Sequence, residues 1–166
     1  MENSPRLSYH PMTPEDLDFM VQYLADPVLT RFLPREKPYP LEMAVSHLQD
    51  RLDHWERHGF GTHLLRLIAT GDPVGYCGLE YVGQTPFINI RYGITREHGG
   101  RGLATEACTH CLNQGFKSLA VPTLYGAAIP ENTASIKVME KSGMHPCQGV
   151  EFYGDSVVYF HCHQRE

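Results

Sequence analysis

Apolar residues recur along the chain with two periods, near 3.6 and near 2, and the switches between them outline its elements. A short strand is expected from Arg6 to His10. Thr13-Pro14-Glu15-Asp16 has the form of a helix start, with a Thr cap, Pro at the first helical position and acids in the first turn. Leu17, Met20, Val21 and Leu24 follow at helical spacing until Asp26-Pro27 ends the pattern. The stretch from Val28 to Pro40, charged and broken by Pro34, Pro38 and Pro40, predicts a loop. A second helix then carries Leu41, Ala44, Val45, Leu48, Leu52 and Trp55 on one face. It stops at His58-Gly59, where glycine can take the left-handed closing conformation. Three strands are predicted next, at Gly61 to Ala69, Val74 to Val82 and Phe87 to Ile94, and their short connections imply antiparallel neighbours.

A glycine-rich segment, Gly99-Gly100-Arg101-Gly102, leads into a helix from Leu103 to Leu119. Ala104, Ala107, Cys108, Cys111, Leu112, Phe116 and Leu119 form its apolar stripe. Beyond Pro122 the pattern predicts a strand from Leu124 to Ile129 and a helix from Asn132 to Lys141 closed by Gly143. Two strands end the chain, Val150 to Tyr153 and Val157 to His163, turning at Gly154-Asp155. Antiparallel strands followed by β-α-β-α-β-β indicate a mixed sheet with helices packed on it, of α/β (α+β) class. Without repeats or linker-like tracts, residues 1–166 read as one domain.

Composition narrows the function classes. With 166 residues, 42% of them hydrophobic and 20% charged, the chain resembles an ordinary globular protein. No stretch approaches the ~20 apolar residues of a membrane span, so no membrane partner is expected. Met1 to Arg6 lacks the basic and apolar regions of a signal peptide. Five cysteines, an odd number, read as reduced thiols in a cytoplasm. A net charge of −5 argues against nucleic acid, whose binders need clustered Lys and Arg, and suits a cationic substrate such as an amine. His161 and His163 share one strand face, read as an exposed edge because no third metal ligand is evident. Cys108-Thr109-His110-Cys111 places both thiols in the apolar stripe of its helix, which makes packing their expected role. No metal site is expected.

The glycine segment carries the chemistry. Glycines between a strand and a helix let backbone approach a ligand and adopt positive φ. The helix start at Leu103 adds unpaired N–H groups and the positive end of its dipole, Thr105 a hydroxyl and Arg101 a charge, which together suit a phosphate or pyrophosphate. An NTPase loop would need Lys then Ser or Thr where Leu103-Ala104 stand. A dinucleotide fingerprint would need a third glycine at Thr105. A second segment, Asn132 to Met144, starts its helix with a good capping residue directly after a strand.

The order of elements and both segments resemble the GNAT acetyltransferase superfamily, in particular the branch of ribosomal-protein alanine N-acetyltransferases and their small-molecule relatives. Gly99 to Ala104 is similar to the family's Gln/Arg-x-x-Gly-x-Gly/Ala loop. Thr105-Glu106-Ala107 continues in the style of that branch. Asn132-x-x-Ser135 through Glu140-Lys141-x-Gly143-Met144 is similar to its second signature, and Arg6-Leu7, Thr13 to Asp16, Trp55 and Gly59-Phe60-Gly61 resemble its opening.

That resemblance implies a mostly antiparallel sheet splayed at a slot for acetyl-CoA, used as co-substrate to acetylate a primary amine on a protein N-terminus or a small molecule. The amides of Gly100, Arg101, Gly102, Leu103, Ala104 and Thr105 would hold the pyrophosphate. The strand end at Gly93, Ile94 and Thr95 would pair with pantetheine, Asn132 would reach the cofactor, and Lys137 would approach its phosphates. Gly99 departs from the usual Gln, Arg or aromatic residue, and Met139 stands where many relatives carry a proton-donating Tyr. Ser135 is the nearest polar replacement, with helix packing as its plain alternative. A carboxylate frequent on the strand before the loop is replaced around Asn89, which leaves Glu80 as the expected base, directly or through water, with a solvated edge carboxylate as its plain alternative. The acceptor-shaping loops would be Val28 to Pro40 and Glu151 to Asp155. A non-catalytic acyl-CoA-binding module is the alternative, and a homodimer is a further expectation.

Overall fold

The computed structural model describes residues 1–164. Four strands lie side by side, β1 (Leu7–Pro11), β2 (Thr62–Leu67), β3 (Pro73–Tyr81) and β4 (Ile88–Ile94), each antiparallel to the next. The crossover helix α4 (Leu103–Leu119) then brings β5 (Thr123–Ala128) alongside β4 in parallel. Helix α5 (Thr133–Lys141), edge strand β6 (His145–Cys147) and β7 (Val158–His163) complete a seven-stranded sheet of order β1-β2-β3-β4-β5-β7-β6. This is the mixed, mostly antiparallel architecture expected from the element order.

The sheet separates two unlike layers. Cys77, Leu79, Ile88 and Ile90 face α4, where Leu103, Ala107, Cys108, Cys111 and Leu112 pack onto them. Fully buried leucines such as Leu65 and Leu124 each stabilise the fold by about 1.5–3 kcal/mol relative to exposure. On the other face lie α1 (Leu17–Ala25) and α3 (Leu41–His58), contributing Met20, Tyr23, Leu24, Ala44 and Leu48 against Tyr76. A 3₁₀ turn, Pro14–Asp16, precedes α1, with the Thr13 N–H donating to Asp16 Oδ2 at 2.8 Å.

Four local expectations are corrected. The apolar face drawn for α3 is rotated: Leu41 is 61% and Val45 43% exposed, while Arg51 and His54 join Ala44 and Leu48 in the buried set. The cause is β3, which presents Glu80 beneath this helix and draws Arg51 inward. The predicted loop from Val28 begins inside a short helix, α2 (Pro27–Thr30), because Asp26 Oδ1 accepts from the N–H groups of Val28 and Leu29. Val150 to Tyr153 forms no strand. Phe152 instead packs against Phe87, Tyr125 and Tyr159, and the Tyr159 hydroxyl accepts from the Tyr153 N–H and donates to Gly154 O. The partner of the last strand is His145–Cys147, so β7 lies between β5 and β6; His161 is paired on both sides, while His163, beyond the end of β6, keeps one open side.

Candidate functional site

The glycine segment presents a run of unpaired backbone donors. After Ile94 a 3₁₀ turn, Arg96–His98, leads to Gly100 and Gly102, which have φ of 73° and 76°. That region is costly for a residue with a Cβ. Gly102 caps α4, whose first turn bond runs from the Glu106 N–H to Gly102 O. Among the described residues, none of the N–H groups from Gly100 through Thr105 has a protein partner. Consecutive unpaired donors at the positive end of a helix are what a pyrophosphate needs.

The cradle is braced from the first strand. Arg6 Nε lies 2.7 Å from Glu106 Oε2, its Nη1 donates to Arg101 O at 2.9 Å, and its N–H donates to Glu106 Oε1 at 2.8 Å. Ser4 Oγ donates to the same carboxylate at 2.7 Å. Burial pushes the Glu106 carboxyl up, but these hydrogen bonds outweigh it and hold it below its ordinary value. Its charge is therefore held by Arg6, away from the donors of the loop. Arg6 and Glu106 had no functional assignment from sequence, because their partnership spans distant segments.

The expected slot is present. The parallel pairing of β4 and β5 is registered at Asn89 and Tyr125 alone, and beyond it the strands part. The Thr95 N–H donates to Val74 O, so strand alternation turns the polar backbone groups of Gly93 toward β3 and those of Ile94 toward the gap. Gly93 is required by packing: a Cβ there would lie 2.1 Å from the Tyr23 hydroxyl.

Across the gap, the Tyr92 hydroxyl is 2.6 Å from Ser135 Oγ and donates to Ser135 O at 2.9 Å. Burial holds the Tyr92 phenol well above its ordinary value, so it stays protonated. Asn132 Oδ1 accepts from the Ser135 N–H at 3.2 Å and caps α5, and Lys137 is exposed on the same helix. Met139 is 1% exposed and packs against Gly126. Tyr92 was missed by sequence because nothing local pairs it with Ser135.

The opposite face of β3 and β4 holds an ionic cluster. Glu80, 3% exposed, accepts from Thr62 Oγ1 at 2.6 Å, and its two oxygens lie 2.9 Å from Arg51 Nε and 3.2 Å from Arg91 Nε. The Arg51 Nε is close but misaligned, and it counts among the buried atoms without a true hydrogen bond. Arg51 Nη1 approaches His47 Nε2 at 3.3 Å. Burial, then the charges of Arg51 and Arg91, pull His47 down to about 3, so its imidazole is neutral near pH 7. Asn89, in register with Glu80 and 5% exposed, has a buried Oδ1 with no partner. Arg91 Nη2 donates to the Tyr153 hydroxyl at 3.3 Å, tying the cluster to the loop before β7. The alternation Ile88-Asn89-Ile90-Arg91 signals a polar face, but only the fold supplies Arg51 and His47.

Beyond this cluster, a groove of about 730 Å³ runs between α1 and the end of β4, lined by Tyr23, Asp26, Asp72, Thr95, Arg96 and Glu97. Arg96 is paired with Asp26 at 2.7 Å, which leaves the groove acidic. The two thiols of the Cys108-x-x-Cys111 pattern are buried and meet Cys77 from β3, as core packing predicts. Burial keeps Cys77 and Cys108 protonated; for Cys111 the contact with Cys77 is the larger cause and burial adds to it.

Comparison with known proteins places this geometry. Residues 6–145 match the family model described as an acetyltransferase (GNAT) domain. A protein named uncharacterized N-acetyltransferase p20, from Bacillus licheniformis, is 28% identical over 136 residues, covering 81% of this chain and 76% of its own. A crystal structure of an acetyltransferase from Agrobacterium tumefaciens superimposes with a TM-score of 0.89 at 24% identity, covering 98% of this chain and 94% of that one. The ribosomal L7/L12 protein acetyltransferase RimL, in complex with coenzyme A, superimposes at 0.78 with 14% identity, covering 96% and 95%.

Proposed function

The chain belongs to the GNAT acetyltransferase family, and from that premise we propose that one domain binds acetyl-CoA and moves its acetyl group to the nitrogen of a primary amine. The observation that carries this reading is the run of unpaired N–H groups from Gly100 to Thr105, opening beside the gap between β4 and β5. Acetyl-CoA supplies an activated acyl carbon: the nitrogen of the free amine bonds to it and sheds a proton to water, the carbon–sulfur bond breaks, and the departing thiolate takes a proton.

The chain's residues divide this work. Gly100, Arg101, Gly102, Leu103, Ala104 and Thr105 hold the pyrophosphate through backbone donors. Ile94, with Gly93 and Thr95 fixing the strand end on β3, offers the backbone that pantetheine would pair with. Asn132 keeps its amide nitrogen free for the cofactor while its oxygen caps α5, and Lys137 faces the phosphates from solvent. The Tyr92–Ser135 hydroxyl pair donates the proton that the thiolate needs. Glu80 is better suited to anchoring than to accepting a proton, because protonation would break its contacts to Arg51 and Arg91. Positioning of the amine then supplies most of the rate.

A melting experiment and a thiol-release assay test this. Acetyl-CoA should raise the melting temperature, and free thiol should appear when an amine is added. Binding without thiol release for any amine would leave a non-catalytic acyl-CoA module. Failure to bind acetyl-CoA would end the reading.

A further inference from the structure

The acceptor is unassigned, and the ionic cluster bears on its chemistry. Arg51 and Arg91 meet one buried carboxylate, Glu80, and an imidazole that is neutral near pH 7; Asp50, the further carboxylate acting on Arg51, is exposed, so the buried part of the cluster carries an excess positive charge. Its donors are also in surplus. Two guanidinium groups present ten N–H bonds in all, and Arg51 Nε is buried without a true acceptor. Arg51 is 8% exposed, whereas the side chain of Arg91 is 32% exposed and opens the cluster to solvent beside Tyr153.

A second group on the same face has the opposite need. Asn89 Oδ1 is a buried acceptor lacking a donor. Asn89 stands two residues before Arg91, about 7 Å along the strand, at the position where β4 and β5 begin to part. An unmatched acceptor beside the gap and unmatched donors one step outward describe a molecule with N–H at one end and an anion at the other.

Resting on the acetyltransferase reading, we propose that the acceptor is an amine carrying its own carboxylate, an amino-acid-sized molecule whose amine meets Asn89 Oδ1 and whose carboxylate sits on Arg91 and Arg51. The incoming charge neutralises the excess, and the surplus donors are satisfied bidentately. Tyr23, Tyr76 and Tyr39 line the adjoining side with aromatic surface. A protein N-terminus fits poorly, because its first carbonyl is a neutral amide. A polyamine would place a second cation against two arginines; the acidic groove beyond Tyr23 would suit it better.

The test uses the wild-type protein with acetyl-CoA and a matched panel: each proteinogenic amino acid, its α-amide, and spermidine. Thiol release should show kcat/KM at least about tenfold higher for a preferred amino acid than for its own amide, since a site built to bind a polar group rejects the analogue lacking it. Equal rates for acid and amide, or a preference for spermidine, would overturn the proposal while leaving the acetyltransferase reading intact. Absence of thiol release from every amine would instead remove that reading. The anion site is then decided by melting the protein with each acid and amide alone: a shift confined to the acids supports it, and no difference overturns it. Arg91→Gln should narrow the acid-to-amide ratio at least about tenfold and Arg91→Lys should restore part of it. If Arg91→Gln does not fold, the wild-type ratio decides.

Discussion

The two faces of the central sheet recognise charge in opposite ways. On the α4 side the anion site is built from backbone, on glycines with positive φ and a helix start, above a dry apolar layer. On the α3 side the charges are those of side chains, with Glu80 holding two arginines in place from different elements. A backbone site costs little to keep formed, because its donors are the orphans of any helix start. A side-chain site must desolvate charges and therefore depends on every member being present. On the function proposed above, the difference would separate affinity for a generic phosphate from discrimination among acceptors.

The comparison breaks most readily at Glu80. Glu80→Gln leaves two neighbouring guanidinium groups without their counter-charge and should cost about 3–5 kcal/mol, a fall of roughly 6–20 °C in melting temperature for a chain of this size. Calorimetry decides it; a shift under about 3 °C would show that the cluster is solvated rather than structural. Next comes Gly102→Val, which forces a β-branched residue to a φ of 76° at roughly 1–3 kcal/mol of strain. Acetyl-CoA affinity by titration should drop at least about tenfold, while the far-ultraviolet spectrum is unchanged. Tyr92→Phe removes one hydroxyl of the pair with Ser135, and kcat should fall about tenfold, since the remaining hydroxyl sustains part of general-acid assistance. The KM for acetyl-CoA should stay the same.

A further effect is in pH. Burial holds His63 down at about 4 and His47 at about 3, below the ordinary histidine value. Unfolded chain therefore binds protons that the native state refuses as pH falls below about 6.5. The stability these residues contribute is complete above that value and is lost on acidification toward 4, by at most about 1.4 kcal/mol per pH unit for His63. Melts between pH 7 and 5 should show the slope, and His63→Gln should flatten it.

The two faces also differ in how far they could be read from sequence. Gly100, Gly102, the start of α4 at Leu103 and the cap at Asn132 are local features, so the cradle was legible in one short segment. The strands from β1 to β4 were equally plain, because alternation and short turns fix antiparallel neighbours. The ionic cluster draws on α3, β2, β3 and β4, and nothing in the spacing of α3 announces that Arg51 turns inward. Its apolar residues even pointed to the wrong face, with Leu41 and Val45 exposed in the folded chain. Val150 to Tyr153 misled for a related reason: its aromatic residues have the composition of a strand but serve to plug a ring cluster around Tyr159.

The brace formed by Arg6 ties the cradle to the strand farthest from β6 in the sheet. Because β1 has a neighbour on one side only, it is the sort of element that opens first in local unfolding. If opening β1 releases Arg6 from Arg101 and Glu106, a ligand that needs the ordered loop must favour the closed edge, and linkage makes that influence mutual. Coenzyme binding and amide-hydrogen exchange in Leu7–Pro11 would then rise and fall together, so the sheet's outer margin serves as a remote gauge of whether the cradle is filled.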